Sequence, residues 1–411
     1  MNRYKVSAVD QMRTPDRALI LAGPVDVPSV DDIRSALVEI ARIGPQTRIG
    51  LRADASRRRW LFDPEAVAET VVEVPSEKAS DISNFATTVF NADLTRSSIK
   101  VVVSGDYVAS LGSHGIADGI GGARLWTTLI RTAQTGMLPA GMQSEESRLP
   151  LMRSILRTYG SDPRRLVATA QWQSRLKRSE AEAVAISERG ALTSDPVSLS
   201  IPMDQDGADR LAEWREAHAP SVSLRAISLY LFLSALRSQG VETASSALVL
   251  MDMRRYASGR TVVNGNFAVG QRIPISGLTS PHELSRRLSG VLGSGRPLIT
   301  LGAITAKATV ASAFGRSMSS SADFDVSVNP LAVVSYSDIG KVRDVEGIRW
   351  TGDPLCVTAT DPYGPEGIVF LGAEIGGRRH LSVTFHGSVF NSETIRRVLR
   401  AVALEPMQFL E

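Results

Sequence analysis

The sequence predicts an α/β protein built as two domains, and three observations carry this. The chain has 411 residues, more than one ordinary domain holds. β-Branched runs alternate with amphipathic helical segments in both halves. A turn-rich stretch at 187–196, Ser-Glu-Arg-Gly-Ala-Leu-Thr-Ser-Asp-Pro, separates those halves. The expected organisation is therefore a first domain at 1–186, a linker at 187–196 and a second domain at 197–411.

The elements follow in order. Residues 17–24 read as a strand ending in a turn. Ser29 opens a helix, with Asp31 and Asp32 in the first turn where the helix dipole favours negative charge. Ile33, Leu37, Ile40 and Ala41 recur at helical spacing, and Gly44-Pro45 stops the run. Residues 98–103 form a β-branched run that turns at Ser104-Gly105-Asp106 and returns over 107–111. After Gly119 a helix carries Leu125, Trp126, Leu129, Ile130 and Ala133 on one side, with Gly136 as its stop. The second half restarts with a strand at 197–201, helices near 206–218 and 223–238, and a strand at 247–251. Ser280-Pro281-His282-Glu283 is a capping box that starts another helix. A strand at 331–336, a hairpin of 367–375 with 380–386, and a helix near 392–403 complete the chain.

Composition narrows the function. The chain is 43% hydrophobic and 22% charged, ordinary for a globular protein, and a formal net charge of +3 is too small to argue for nucleic acid. One cysteine, Cys356, excludes an intramolecular disulfide and fits a reducing compartment; it reads as a small strand residue, with a nucleophile as the other option. The first residues show no secretory core and no run reaches the length of a membrane span, so a cytoplasmic, monomeric, enzyme-sized protein is expected. Residues 148–178 hold eight basic side chains against one acid, Asp162, which reads as a solvated helix face or as a docking face for anionic phosphates or an acidic protein. There is no Gly-x-Ser-x-Gly elbow, no Walker loop and no His-Glu-x-x-His, and no metal site is expected.

The chemistry concentrates at 110–122, Ser-Leu-Gly-Ser-His-Gly-Ile-Ala-Asp-Gly-Ile-Gly-Gly. His114 falls where a strand ends and the backbone must turn, in a stretch whose glycines admit close approach by another molecule. An imidazole with an ordinary pKa of about 6.5 suits proton abstraction near neutrality. Asp118 lies four residues on, just before a helix, and Gly119 is either a helix-start glycine or a wall position that keeps side chains clear of a ligand.

His114-x-x-x-Asp118-Gly119 resembles the His-x-x-x-Asp-Gly motif of the chloramphenicol acetyltransferase-like superfamily, which includes condensation domains, polyketide-associated acyltransferases and wax-ester synthases. Asp252-Met253-Arg254-Arg255 followed by Gly265-Asn266-Phe267 is similar to that group's Asp-x-Arg-Arg and Gly-Asn-Phe segments. Ser337-Asp338-Ile339-Gly340 resembles its Ser-Asn-x-Gly segment. The resemblance spans nearly the whole chain and departs in two places: Ser113 stands where many relatives have a second histidine, and Asp338 where many have asparagine.

The resemblance implies two similar lobes, each a mixed sheet with helices, forming a V-shaped pseudo-dimer with a tunnel between them. It implies an acyltransferase in which His114 takes the proton of a hydroxyl or amine as that group attacks a thioester, with no covalent intermediate. The donor is acyl-CoA or a phosphopantetheinyl carrier protein acting as substrate, no cofactor is permanently bound, and the acceptor is a natural-product or lipid molecule. Asp118 turns away from the base to pair with Arg254, or failing that Arg255, and Gly119 keeps the tunnel clear. Ser337, Asp338 and Ser113 are the candidates for an oxyanion or tunnel role, beside a backbone N–H near Gly119. A noncatalytic scaffold or a cyclase with the same base are the alternatives.

Overall fold

The structure, a computed structural model, describes all residues except 1, 28, 95–97, 140–143, 172–188, 260, 314–322, 328 and 411. The first half runs β1 (Asn2–Lys5), α1 (Ala8–Met12), β2 (Arg17–Val25), α2 (Val30–Arg42), β3 (Leu51–Arg52), β4 (Arg59–Phe62), β5 (Val71–Glu73), α3 (Ile82–Phe90), β6 (Ile99–Ser104), β7 (Tyr107–Ser113), α4 (Gly119–Thr135) and α5 (Pro150–Ser161). Then come β8 (Arg189–Thr193), β9 (Pro196–Pro202), α6 (Gln205–His218), α7 (Leu224–Ser238), β10 (Ser246–Asp252), β11 (Ala268–Pro274), α8 (Pro281–Ser294) and α9 (Arg296–Ala313). The last elements are β12 (Asp323–Ser327), β13 (Val333–Lys341), β14 (Trp350–Thr360), β15 (Gly367–Ile375), β16 (Arg378–His386) and α10 (Ser392–Leu404). The α/β class expected from the alternation is the class observed.

Two mixed sheets organise the molecule. The first has the order β14-β2-β7-β6-β5 and the second β11-β10-β13-β15-β16-β9. On the first sheet, α2 buries Ile33, Leu37 and Ile40 completely, each worth about 1.5–3 kcal/mol relative to exposure. It starts at Ser29, as the sequence predicts, and there forms a capping box: the Ser29 hydroxyl accepts from the Asp32 N–H while the Asp32 carboxylate accepts from the Ser29 N–H. Helix α3 covers the other face with Phe85, Val89 and Phe90 against Leu19 and Leu21. The second sheet is buried beneath α7 and α10, with the Phe232 and Phe370 rings stacked 4.2 Å apart.

Sheet membership does not follow the chain halves. Strand β14 leaves the second half and pairs antiparallel with β2, from Thr360 opposite Ala18 to Leu355 opposite Gly23. Its other edge is met by side chains of the second sheet: the Thr358 N–H donates to Ser382 Oγ at 3.2 Å, and Ser200 Oγ donates to the Cys356 carbonyl at 3.2 Å. The stretch expected to be a linker is also ordered differently. Residues 187–188 lie outside the described residues, but Arg189–Thr193 is a strand paired antiparallel with Asp323–Ser327. Gly190, although a turn-former, sits opposite Val326 in that ladder.

Candidate active site

His114 follows the last residue of β7. Its N–H donates to the Asp16 carbonyl at 2.6 Å, and the preceding Ser113 sits opposite Arg17 in the ladder with β2. The turn is held by Ser113, whose hydroxyl donates to the Thr14 carbonyl at 2.7 Å and accepts from the Gly115 N–H at 3.2 Å. The hydroxyl proton of Ser113 is thus committed to the backbone.

The His114 ring lies on the wall of a cavity of about 330 Å³ enclosed by both sheets and by α9. Most of that wall is aliphatic: Leu19 and Ile20 of the first sheet, Leu248, Leu250 and Leu371 of the second, and Leu301 and Ile304 of α9. Ser337 and Arg13 are among its few polar members. Burial in this surrounding, reinforced by the nearby Arg13 charge, pushes the His114 pKa down from 6.5 to about 3, so the ring is neutral at physiological pH. Its Nδ1 is 3.1 Å from Oδ1 of Asn266, which arrives from the second half of the chain in the loop before β11.

Asp118 is the N-cap of α4, accepting from the Gly121 N–H at 3.0 Å. Its other oxygen lies 2.8 Å from Arg254 Nη1 and accepts from the Phe267 N–H at 3.0 Å. The carboxylate therefore ties the start of α4 to Arg254 and Phe267 of the second half of the chain. Arg254 is further held by Asp252 and by the carbonyls of Val263 and Gly265. Arg255 instead places its guanidinium over the Tyr256 ring.

Ser113 and Ser337 reach the cavity wall, but Asp338 does not. The Asp338 carboxylate is buried behind it, accepting from the Tyr336 hydroxyl at 2.9 Å, the Gly340 N–H at 2.8 Å and the Arg379 guanidinium. The expectation that Asp338 shapes the oxyanion region or tunnel is corrected accordingly, because its carboxylate is off the cavity wall and paired with Arg379 of the same sheet.

A second cleft, of about 830 Å³, opens beside the start of α4 and shares Leu125 and Ile339 with the apolar cavity. Its wall carries Arg124, Arg225, Lys341 and Arg343, and none of these has a carboxylate partner among the described residues. Gly119 lines the apolar cavity, and a Cβ there would fall 2.7 Å from Cγ2 of Ile339, which lines both spaces. In the basic segment at 148–178, Arg148, Arg153, Arg157 and Arg164 are exposed beside exposed Leu149, Met152 and Leu156, Arg165 pairs with Asp162, and 172–178 lie outside the described residues. No cluster of metal-ligating side chains occurs among the described residues.

Sequence reading missed Asn266 and Asp10 as parts of the site. Asn266 was visible only within a Gly-Asn-Phe likeness, and nothing in the sequence marks Asp10.

No family model matches the sequence, and no curated protein matches it. Solved structures do match. The trichothecene 15-O-acetyltransferase TRI3 from Fusarium sporotrichioides superposes with a TM-score of 0.62 at 11% identity, covering 99% of this chain and 94% of that one. The first condensation domain of the calcium-dependent antibiotic synthetase gives 0.57 at 14% identity, covering 98% and 95%. The fold is the one these solved structures share. Polyketide synthase associated protein 5 from Mycobacterium tuberculosis shares it, with a TM-score of 0.55 at 12% identity and 98% of both chains covered. No helix among the described residues is long and apolar enough to cross a membrane.

Proposed function

We propose that this chain transfers an acyl group from a thioester donor to a hydroxyl or amine of an apolar small-molecule acceptor. The observation that carries the reading is the neutral His114 on the wall of an apolar cavity that adjoins a cationic cleft. His114 takes the acceptor proton as the oxygen or nitrogen attacks the thioester carbonyl. The new C–O or C–N bond forms, the C–S bond breaks, and the thiolate leaves with the proton returned by the imidazolium. General base catalysis of this kind is worth about 10²–10⁴-fold, and alignment of the two substrates supplies more. Ser337 Oγ, on the cavity wall, and a backbone N–H at the start of α4 are read as the groups that stabilise the oxyanion.

The donor, acyl-CoA or an acyl carrier, is read as lying with its phosphates against Arg124, Arg225, Lys341 and Arg343 and its pantetheine arm passing Gly119 toward His114. The apolar cavity then holds the acceptor or the acyl chain. The test is thiol release from a panel of acyl-CoAs with candidate alcohols and amines, with His114→Ala as the control. Acceptor-dependent release by the wild type and its loss in the variant supports the reading. Release of equal size from His114→Ala overturns it, as does retention of a protein partner with no release from any donor.

A further inference from the structure

Behind the imidazole lies a chain of buried polar groups that the proton transfer itself does not use. Asp10, from α1, is fully buried. One of its oxygens accepts from the Asn266 N–H at 2.9 Å and from Asn266 Nδ2 at 3.0 Å. The other accepts from the Ser7 N–H and lies 3.1 Å from Arg48 Nη1. Burial opposes the Asp10 charge, but Arg48 and these N–H donors overcome it and hold the carboxyl below its usual range. Arg48, itself buried, reaches Glu146 at 2.8 Å, and that carboxylate accepts from the Asn264 and Gly265 N–H groups at 3.2 Å each. A side chain at Gly265 would overlap the Arg48 guanidinium, so the loop can approach this closely only as glycine.

An ionised carboxylate has no proton to donate. Asp10 can therefore be approached only by the NH₂ side of the Asn266 amide, whose second hydrogen goes to the His114 carbonyl at 2.8 Å. Both donors of the amide are then used, and its oxygen is the atom left facing His114 Nδ1. An oxygen acceptor there requires the ring proton to sit on Nδ1, which leaves the Nε2 lone pair free. We infer that Asp10 is a positioning residue: held ionised by Arg48, it fixes the Asn266 amide and through it the His114 tautomer that leaves Nε2 as the basic atom. Since Asn266 lies 256 residues from Asp10 in the chain, the base is set only when the 264–266 loop is seated.

The inference rests on the acyl-transfer reading only for its kinetic arm. The main test is two-bond ¹H–¹⁵N correlation on protein labelled at its five histidines, with the His114 signals assigned by their loss in His114→Ala. The wild type should show the Nδ1–H tautomer at His114. Asp10→Asn, whose amide can also donate, should populate both tautomers, and Asn266→Leu should lose the preference for Nδ1–H. In both, kcat should fall about 10²-fold or more while the donor KM holds. Asn266→Leu uncovers no basic side chain, so it carries the test if Asp10→Asn does not fold. A wild type with the proton on Nε2, or folded variants that keep the pure Nδ1–H signature, overturns the inference. The expected tautomers with no thiol release from any donor would support it and overturn acyl transfer instead.

Discussion

Replacing Asp118 with alanine should weaken the fold as well as the chemistry, and the size of the effect follows from its partners. The change removes the N-cap of α4, worth about 1 kcal/mol. It leaves the Phe267 N–H, now bonded at 3.0 Å, a buried donor without an acceptor, at about 1–3 kcal/mol. It also takes one carboxylate from Arg254. Breaking a buried pair costs about 3–5 kcal/mol, but the Arg254 side chain is 23% exposed and keeps Asp252 at 3.1 Å, so the low end applies. These losses share one environment and do not add in full; about 4 kcal/mol is expected. Asp118→Asn keeps one oxygen, for the α4 cap or for the Phe267 N–H but not for both, and turns an NH₂ toward the other donor, so it should cost only somewhat less. Urea unfolding gives the stability, and thiol release gives the turnover. Both should fall together in Asp118→Ala, and a double-mutant cycle with Arg254→Met should show a coupling above about 1 kcal/mol. A wild-type urea midpoint in Asp118→Ala with all turnover gone would refute the assignment of Asp118 to structure.

Other perturbations have equally definite outcomes. His114 and His380, held by burial at pKa values of about 3 and about 4, bind fewer protons folded than unfolded below pH 6.5. Stability should therefore be lost as pH falls from about 6.5 toward 4, by about 1.4 kcal/mol per pH unit for each histidine, and His114→Gln should remove one histidine's share of that slope in urea titrations at pH 7 and 5. The acid limb of kcat should lie well below pH 6.5; a limb at 6.5 would contradict a desolvated base. Gly119→Val should raise the donor KM by forcing Ile339 to shift, with a lower urea midpoint from the same clash; an unchanged KM in the folded variant would mean the donor passes elsewhere. Cys356 is buried, which pushes its thiol up to about 12, so it should resist a disulfide reagent in the native protein and react fully in urea. Fast native modification would reopen the nucleophile option.

Local pattern made much of the fold legible. The spacing of Ile33, Leu37 and Ile40 set one helix, and Ser29 followed by Asp31 and Asp32 set its start. Gly136, at φ 67°, closes α4 where its lack of a side chain allows. The motif at 114–119 likewise marked the join of β7 and α4, because a strand end and a helix cap leave short-range traces. What stayed hidden depends on partners far away in the chain. Asp10 meets Asn266 across 256 residues, and neither has a periodic pattern to betray it. Asp338 looked like a site residue because it stands beside Ser337 in the Ser-Asn-x-Gly likeness, yet Ser337 lines the cavity while the Asp338 carboxylate turns to Arg379. The pairing of Arg189–Thr193 was masked by turn-forming composition, which tertiary contact with β12 overrode.

The exchanged strand β14 imposes an order on synthesis. Until residues near 360 have left the ribosome, β2 has an open flank and the first sheet lacks its outermost member. The amino-terminal portion must wait as a nascent chain with an unpaired edge exposed to its neighbours, a setting that favours wrong pairing. Severing the polypeptide between the halves would make that waiting state permanent, so two separately translated pieces should recover the native state only when both are present together.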